Sequence, residues 1–111
     1  GLRAVGFVCA GSVIAEYVGE VLPQREAERR QIDYDSRGIN YLLSVREVFP
    51  LVGGDGSVTE RVLTTSIDAT LMGNHSRFVN HSCDPNIVLS PVRIDNPIPN
   101  ILLIAKRDIQ R

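Results

Sequence analysis

The stretch from Ile39 to Ala69 constrains the fold most. "INYLLSVREVF" and "SVTERVLTTSIDA" are rich in β-branched and aromatic residues, and "GGDG" lies between them. Glycines accept the positive φ that a hairpin turn demands, so the two runs are predicted to pair as antiparallel strands. "NIVLSPVRI" and "NILLIAKRDI" predict a second pair, separated by the proline-containing turn "DNPIPN". Near the start, "GLRAV" and "SVIAEYVGEVL" flank a turn signal at Ala10-Gly11 and predict two short strands. "PQREAERR" has Pro23 at a first helical position and Glu26 placed to meet Arg30 at i,i+4, which predicts one short helix with a solvated, charged face. Tyr34 and Asp33 read as helix-end residues engaged in packing and turn chemistry. The expected fold class is mainly β with one short helix. No internal repeat or linker interrupts it, so residues 1–111 read as one domain.

Composition narrows the function classes. At 43% apolar and 23% charged residues the chain can build an ordinary core. Its formal charge of −1 offers no excess of cations for holding a phosphate backbone, so direct nucleic-acid binding is disfavoured. A mildly acidic surface would instead tolerate a basic peptide. Two cysteines, Cys9 and Cys83, are too few for a disulfide scaffold, and no signal peptide or long apolar run suggests a membrane. Cys9 sits in an apolar run and is expected to be a small buried hydrophobe. The sequons Asn74-His75-Ser76 and Asn80-His81-Ser82 are short patterns that arise often by chance.

Between the two strand pairs lies "DATLMGNHSRFVNHSCDPN", which has no sustained period of 2 and a weak helical pattern around Ser76 to Asn80. A structured loop with a helical turn is expected, ended where Asp84 precedes Pro85 and is pushed toward extended geometry. Its core, "RFVNHSCDPN", concentrates a cation, amides, an imidazole, a hydroxyl, a thiol and a carboxylate. Cys83 as a nucleophile with His81 or His75 as base lacks any surrounding signature. His75, His81 and Cys83 as metal ligands lack zinc spacing, although Cys83 could donate one thiolate to a site completed elsewhere. A polar small molecule could be recognised by Asn80, His81 and Arg77. The remaining reading is a self-satisfied loop in which Asn80, Ser82 and Asp84 cap their own turns.

These residues also carry a resemblance. "RFVNHSCDPN" is similar at each position to the signature R-F-[IVL]-N-H-S-C-x-P-N of the SET domain of protein-lysine methyltransferases. "GLRA" looks like the end of the opening G-W-G-x-R-A, "EYVGEVL" like the E-Y-x-G-E strand, "NYLLSVRE" like the strand before the central loop, and "SIDATLMGNHSRF" like the approach to the signature. "PVRIDNPIPNILLIAKRDI" most resembles the SETMAR group, which carries pre-SET and post-SET cysteine clusters.

The resemblance implies a fold of small curved sheets, a β-clip with a pseudoknot, incomplete at both ends. It implies S-adenosylmethionine (SAM) as cofactor and a histone tail or other lysine-bearing protein as partner, in the nucleus on chromosomes. Carried over by position, Tyr41, Arg77, Asn80 and His81 hold SAM, Tyr17 lines the lysine channel, and Leu43 occupies a channel position where many relatives carry an aromatic. Cys83 supplies one thiolate to a structural zinc shared with post-SET cysteines. The resemblance places the G-W-G entry before Gly1. It places the segment with the catalytic Tyr after Arg111, and the post-SET cysteines farther on. Residues 1–111 are therefore expected to fold poorly and to be inactive alone. A non-catalytic SET-like module that binds peptide or protein partners is the alternative.

Overall fold

The computed structural model describes residues 1–80, 82 and 84–111. Two three-stranded antiparallel sheets form the architecture. One contains β1 (Val13–Glu16), β6 (Asn100–Ala105) and β5 (Ile87–Val92), with β6 central. The other contains β2 (Glu20–Leu22), β4 (Val58–Asp68) and β3 (Leu42–Val52), with β4 central. The helix α1 (Gln24–Arg37) joins β2 to β3, and a 3₁₀ turn, His75–Phe78, lies between β4 and β5.

Both predicted hairpins form. β3 and β4 pair from Leu42 opposite Asp68 out to Val52 opposite Val58, eleven residues on each strand. Their turn closes through Gly53 N donating to Ser57 O at 2.7 Å, and within "GGDG" the positive φ falls on Gly56 alone, at 84°. β5 and β6 pair from Ile87 opposite Ala105 to Val92 opposite Asn100. The N-terminal expectation is corrected. "GLRAV" forms no strand, and its neighbourhood contributes only the isolated bridge between Val8 and Ile109. "SVIAEYVGEVL" is cut into β1 and β2, which belong to different sheets. Gly19 sits at the cut: a Cβ there would lie 2.5 Å from the Asp68 carbonyl oxygen, so only glycine lets the chain cross this close to β4.

The helix is also longer than predicted, running to fourteen residues and ending at Gly38, whose φ of 69° makes the left-handed cap. Local charge alternation hid its buried side, because Ala27, Arg30 and Tyr34 recur at helical spacing and turn one stripe toward β4. Tyr34 is therefore buried inside the last turns, and Asp33 pairs with Arg37 at 3.1 Å along the exposed face. Glu26 does meet Arg30, at 2.8 Å.

The core is small and sits between the sheets. Ile101, Leu103 and Ala105 alternate along β6 at no more than 2% exposure, joined by Ile67 and Ala69 at the end of β4. As the central strand, β6 has its backbone groups paired on both edges and so can be buried without leaving them unsatisfied. The far half of the β3–β4 hairpin is a bare two-stranded ribbon, with Val52 74% and Val58 66% exposed. The radius of gyration is accordingly 16.3 Å, against about 13 Å for a compact domain near this length. Cys9 is exposed as a free thiol rather than buried: the turn after it brings Gly11 and Ser12 back onto Ala105, leaving the apolar run at the surface.

Candidate functional site

The 3₁₀ turn organises the site. Asn74 caps it, accepting from Ser76 N at 3.0 Å and from the Ser76 hydroxyl, while its own amide donates to the Glu16 carbonyl at 3.1 Å. Ser76 is buried by this arrangement, so the turn is fixed against β1 before any ligand enters. Arg77, the next residue, then turns inward. Its Nη1 donates to the Ala69 carbonyl at 3.1 Å, and its guanidinium lies 5.6 Å from the Tyr41 ring centre and 5.0 Å from that of Phe78. Tyr41 and Phe78 meet edge to face at 6.0 Å, a favoured aromatic geometry. Arg77 Nε is buried and has no hydrogen-bond partner among the described residues.

Tyr17 follows β1 and enters the same space. Its hydroxyl donates to the Tyr41 carbonyl at 2.7 Å, and that carbonyl also accepts from Ala69 N at 3.0 Å. Burial pushes the Tyr17 hydroxyl above its ordinary range, the Asp68 carboxylate adds to this, and Arg77 opposes it. The hydroxyl is thus neutral at physiological pH and remains a donor.

Tyr17, Tyr41, Leu43, Arg77, Phe78 and Asn80 together line a cavity of about 610 Å³. That falls within the size range of small-molecule sites, and the mix of apolar walls with a few convergent polar groups is their usual chemistry. The structure therefore brings Tyr17, Tyr41, Leu43, Arg77 and Asn80 together. Gly1 approaches Asn80 closely: a Cβ on Gly1 would lie 2.6 Å from Asn80 Nδ2. His81 and Cys83 lie outside the described residues. Arg111 is exposed and does not line the cavity. The catalytic Tyr expected after Arg111 has no counterpart among the described residues: the tyrosines of this chain are Tyr17, Tyr34 and Tyr41, all on the N-terminal side of the signature. Among the described residues there is no group of three or more His, Cys, Asp or Glu side chains able to hold a metal ion. Ser82 accepts from Asp84 N at 3.2 Å, one of the local caps that the self-satisfied loop required. His75 opens the 3₁₀ turn and stacks at a tilt near Phe78, 6.4 Å between rings.

Behind the cavity, β4 ends in a buried carboxylate. Asp68, 2% exposed, accepts from Tyr34 Oη at 2.6 Å, Arg30 Nη1 at 2.9 Å and Thr70 N at 2.9 Å. Arg30 also reaches Glu20 on β2 at 2.9 Å, so one guanidinium ties α1 to two strands. Burial works to raise the Asp68 pKa, but the hydrogen bonds from Thr70, Tyr34 and Arg30 outweigh it and hold the carboxyl below its ordinary value. Glu26 is held at about 2 by hydrogen bonds from Arg29 and Arg30. A carboxyl with a lowered folded pKa contributes stability above its unfolded value and loses it as pH falls through the folded value. Stability should therefore be level from neutrality down to about pH 5 and decline below about pH 4. Tyrosine fluorescence during acid titration would follow it, and a decline already complete by about pH 5 would assign control to other groups.

Reading the sequence missed this network, and it missed Phe78 as a partner for the Arg77 guanidinium. The spacing of Ala27, Arg30 and Tyr34 was the available signal for the former, since a cation and a phenol on the buried stripe of a helix require a buried acceptor.

The SET domain family model matches residues 1–111. The chain belongs to the SET domain family. It is 39% identical over 109 residues to the histone-lysine N-methyltransferase SETMAR of Mus musculus, covering 98% of this chain and 33% of that protein. Similarity to the histone-lysine N-methyltransferase SUV39H2 of Xenopus tropicalis is 41% identity over 113 residues, covering 99% of this chain and 25% of the relative. The crystal structure of the methyltransferase domain of human SETMAR superposes with a TM-score of 0.80 at 36% identity, covering 99% of this chain and 36% of that one. The chain thus spans about a third of the SETMAR relative's length.

Proposed function

We propose that the full-length protein is a SAM-dependent protein-lysine N-methyltransferase that acts on histone lysines in the nucleus, on chromosomes. One observation carries the reading. Tyr17, Tyr41, Arg77 and Asn80 come from β1's exit, the approach to β3, the 3₁₀ turn and the segment just after it, and they converge on one cavity. Similarity to proteins named as histone-lysine N-methyltransferases supplies the substrate class.

The residues present fit such a cofactor. Arg77 Nε is a buried donor with no partner among the described residues, and the aromatic faces of Tyr41 and Phe78 stand beside it. SAM supplies an activated methyl group on a sulfonium. On this reading Arg77, Tyr41 and Asn80 bind and orient the cofactor, with His81 joining them. Tyr17 keeps its proton and, anchored on the Tyr41 carbonyl, lines the approach of the lysine amine beside Leu43. Methyl transfer is an in-line displacement, so alignment supplies much of the catalysis. A partly apolar wall disfavours the charged ammonium and so favours the neutral nucleophile. A zinc thiolate at Cys83 and a catalytic Tyr after Arg111 rest on the sequence motif, and no step depends on either.

Full-length protein incubated with histones and methyl-labelled SAM should transfer label to lysine. Asn80→Ala should weaken SAM binding by roughly tenfold, the worth of a polar contact. Absence of SAM binding by the wild-type protein would overturn the reading. SAM binding without transfer would establish a cofactor-binding module instead of an enzyme.

A further inference from the structure

Neither Asp68 nor Ala69 lines the cavity, yet the peptide that follows Asp68 is hydrogen-bonded to residues that do. The Ala69 carbonyl accepts from Arg77 Nη1, and the Ala69 N–H donates to the carbonyl of Tyr41, which also receives the Tyr17 hydroxyl. Ala69 therefore stands at the junction of three cavity residues. Asp68 fixes the backbone there from both sides, because its carboxylate gathers Thr70 N two residues on and the Arg30 and Tyr34 donors of α1. Gly19 presses against the Asp68 carbonyl and leaves the strand end little room to move.

We infer that Asp68 is a positioning residue for the cofactor cavity, acting with Tyr34 and Arg30 of α1 to set the Ala69 backbone and, through it, the Arg77 guanidinium over Tyr41. The inference rests on the proposed reading of the cavity as a SAM site. A purely structural role would cost stability alone, whereas a positioning role also costs cofactor affinity.

The test uses the full-length protein, with SAM Kd by titration, steady-state KM for SAM and for a lysine peptide, and thermal stability. In Asp68→Asn one carboxylate oxygen becomes an amide, so part of the donor set from Tyr34, Arg30 and Thr70 faces another donor. SAM Kd and SAM KM should rise by roughly tenfold, and by more than the peptide KM. Tyr34→Phe deletes one donor and keeps the ring packing; about threefold is expected, and this variant decides the matter if Asp68→Asn fails to fold. Ala27→Gly is the control, since it weakens α1 without touching the carboxylate, and it should lower thermal stability while leaving SAM Kd unchanged. The inference is overturned if Tyr34→Phe binds SAM like wild type, or if Ala27→Gly weakens SAM binding as much as the two network variants. Wild-type protein that binds no SAM would instead remove the reading of the cavity, and the inference with it. That outcome is distinguishable because it shows before any variant is made.

Discussion

Replacing Ile101 with alanine is expected to destabilise the domain by about 3 to 4 kcal/mol, near the middle of the range for removing a fully buried Ile. Ile101 is completely buried on the central strand of its sheet, and its carbonyl accepts from Tyr17 N at 2.8 Å. The surrounding strands cannot collapse into the gap without breaking the pairing of β6 with β1 and β5, so relaxation recovers little. Domains of this size hold about 5 to 15 kcal/mol in total, so the loss would lower the domain's melting temperature by at least about 10 °C. Calorimetry on the full-length protein would measure it, with Ile101→Val, expected at about 1 kcal/mol, as the graded control. A cost below about 1 kcal/mol for the alanine variant would mean that β6 is not the centre of the core.

Arg77→Ala is expected to weaken SAM binding by about a hundredfold, the combined loss of a charge-assisted hydrogen bond and a stacked cation. The variant removes the bond to Ala69 and empties the space between Tyr41 and Phe78. Arg77→Lys separates the two contributions. Lysine keeps the charge but offers a point ammonium instead of a planar fork, so it should recover only about tenfold of the loss. Full recovery by lysine would show that charge alone matters at this position. An alanine variant that binds SAM like wild type would remove Arg77 from the site.

Much of this architecture could be read from the sequence because its signals are local. The turn glycines of "GGDG" and the proline-containing turn "DNPIPN", each between β-branched runs, announced the β3–β4 and β5–β6 hairpins, whose registers depend on neighbours in the chain. The 3₁₀ turn was visible as a weak helical pattern around Ser76 to Asn80. What stayed hidden depended on distant partners. "SVIAEYVGEVL" carries no mark of where one sheet is left for another, since the cut at Gly19 is imposed by the backbone of Asp68. The length of α1 was masked for the same reason: its charges look solvated until β4 supplies a buried carboxylate for Arg30 and Tyr34. Cys9 was misplaced because an apolar run reads as buried wherever it lies, and exposure was decided by the turn back onto Ala105. For the candidate site, the ten-residue signature named Arg77 and Asn80. The aromatic wall that Phe78 shares with Tyr41 is visible only in three dimensions.

The far half of the β3–β4 hairpin gives the molecule two stabilities instead of one. Near Leu43 and Ile67 the strands share the core's burial, and opening them means opening the domain. Arg93 braces β3 at Glu47 and Phe49, but from there toward Val52 and Val58 the ladder rests on its own cross-strand pairs, and a lone two-stranded ribbon is marginal in water. Its tip can therefore unzip and re-form many times while the cavity at its base stays assembled. The arm is free to sample shapes at little cost to the cavity beneath it.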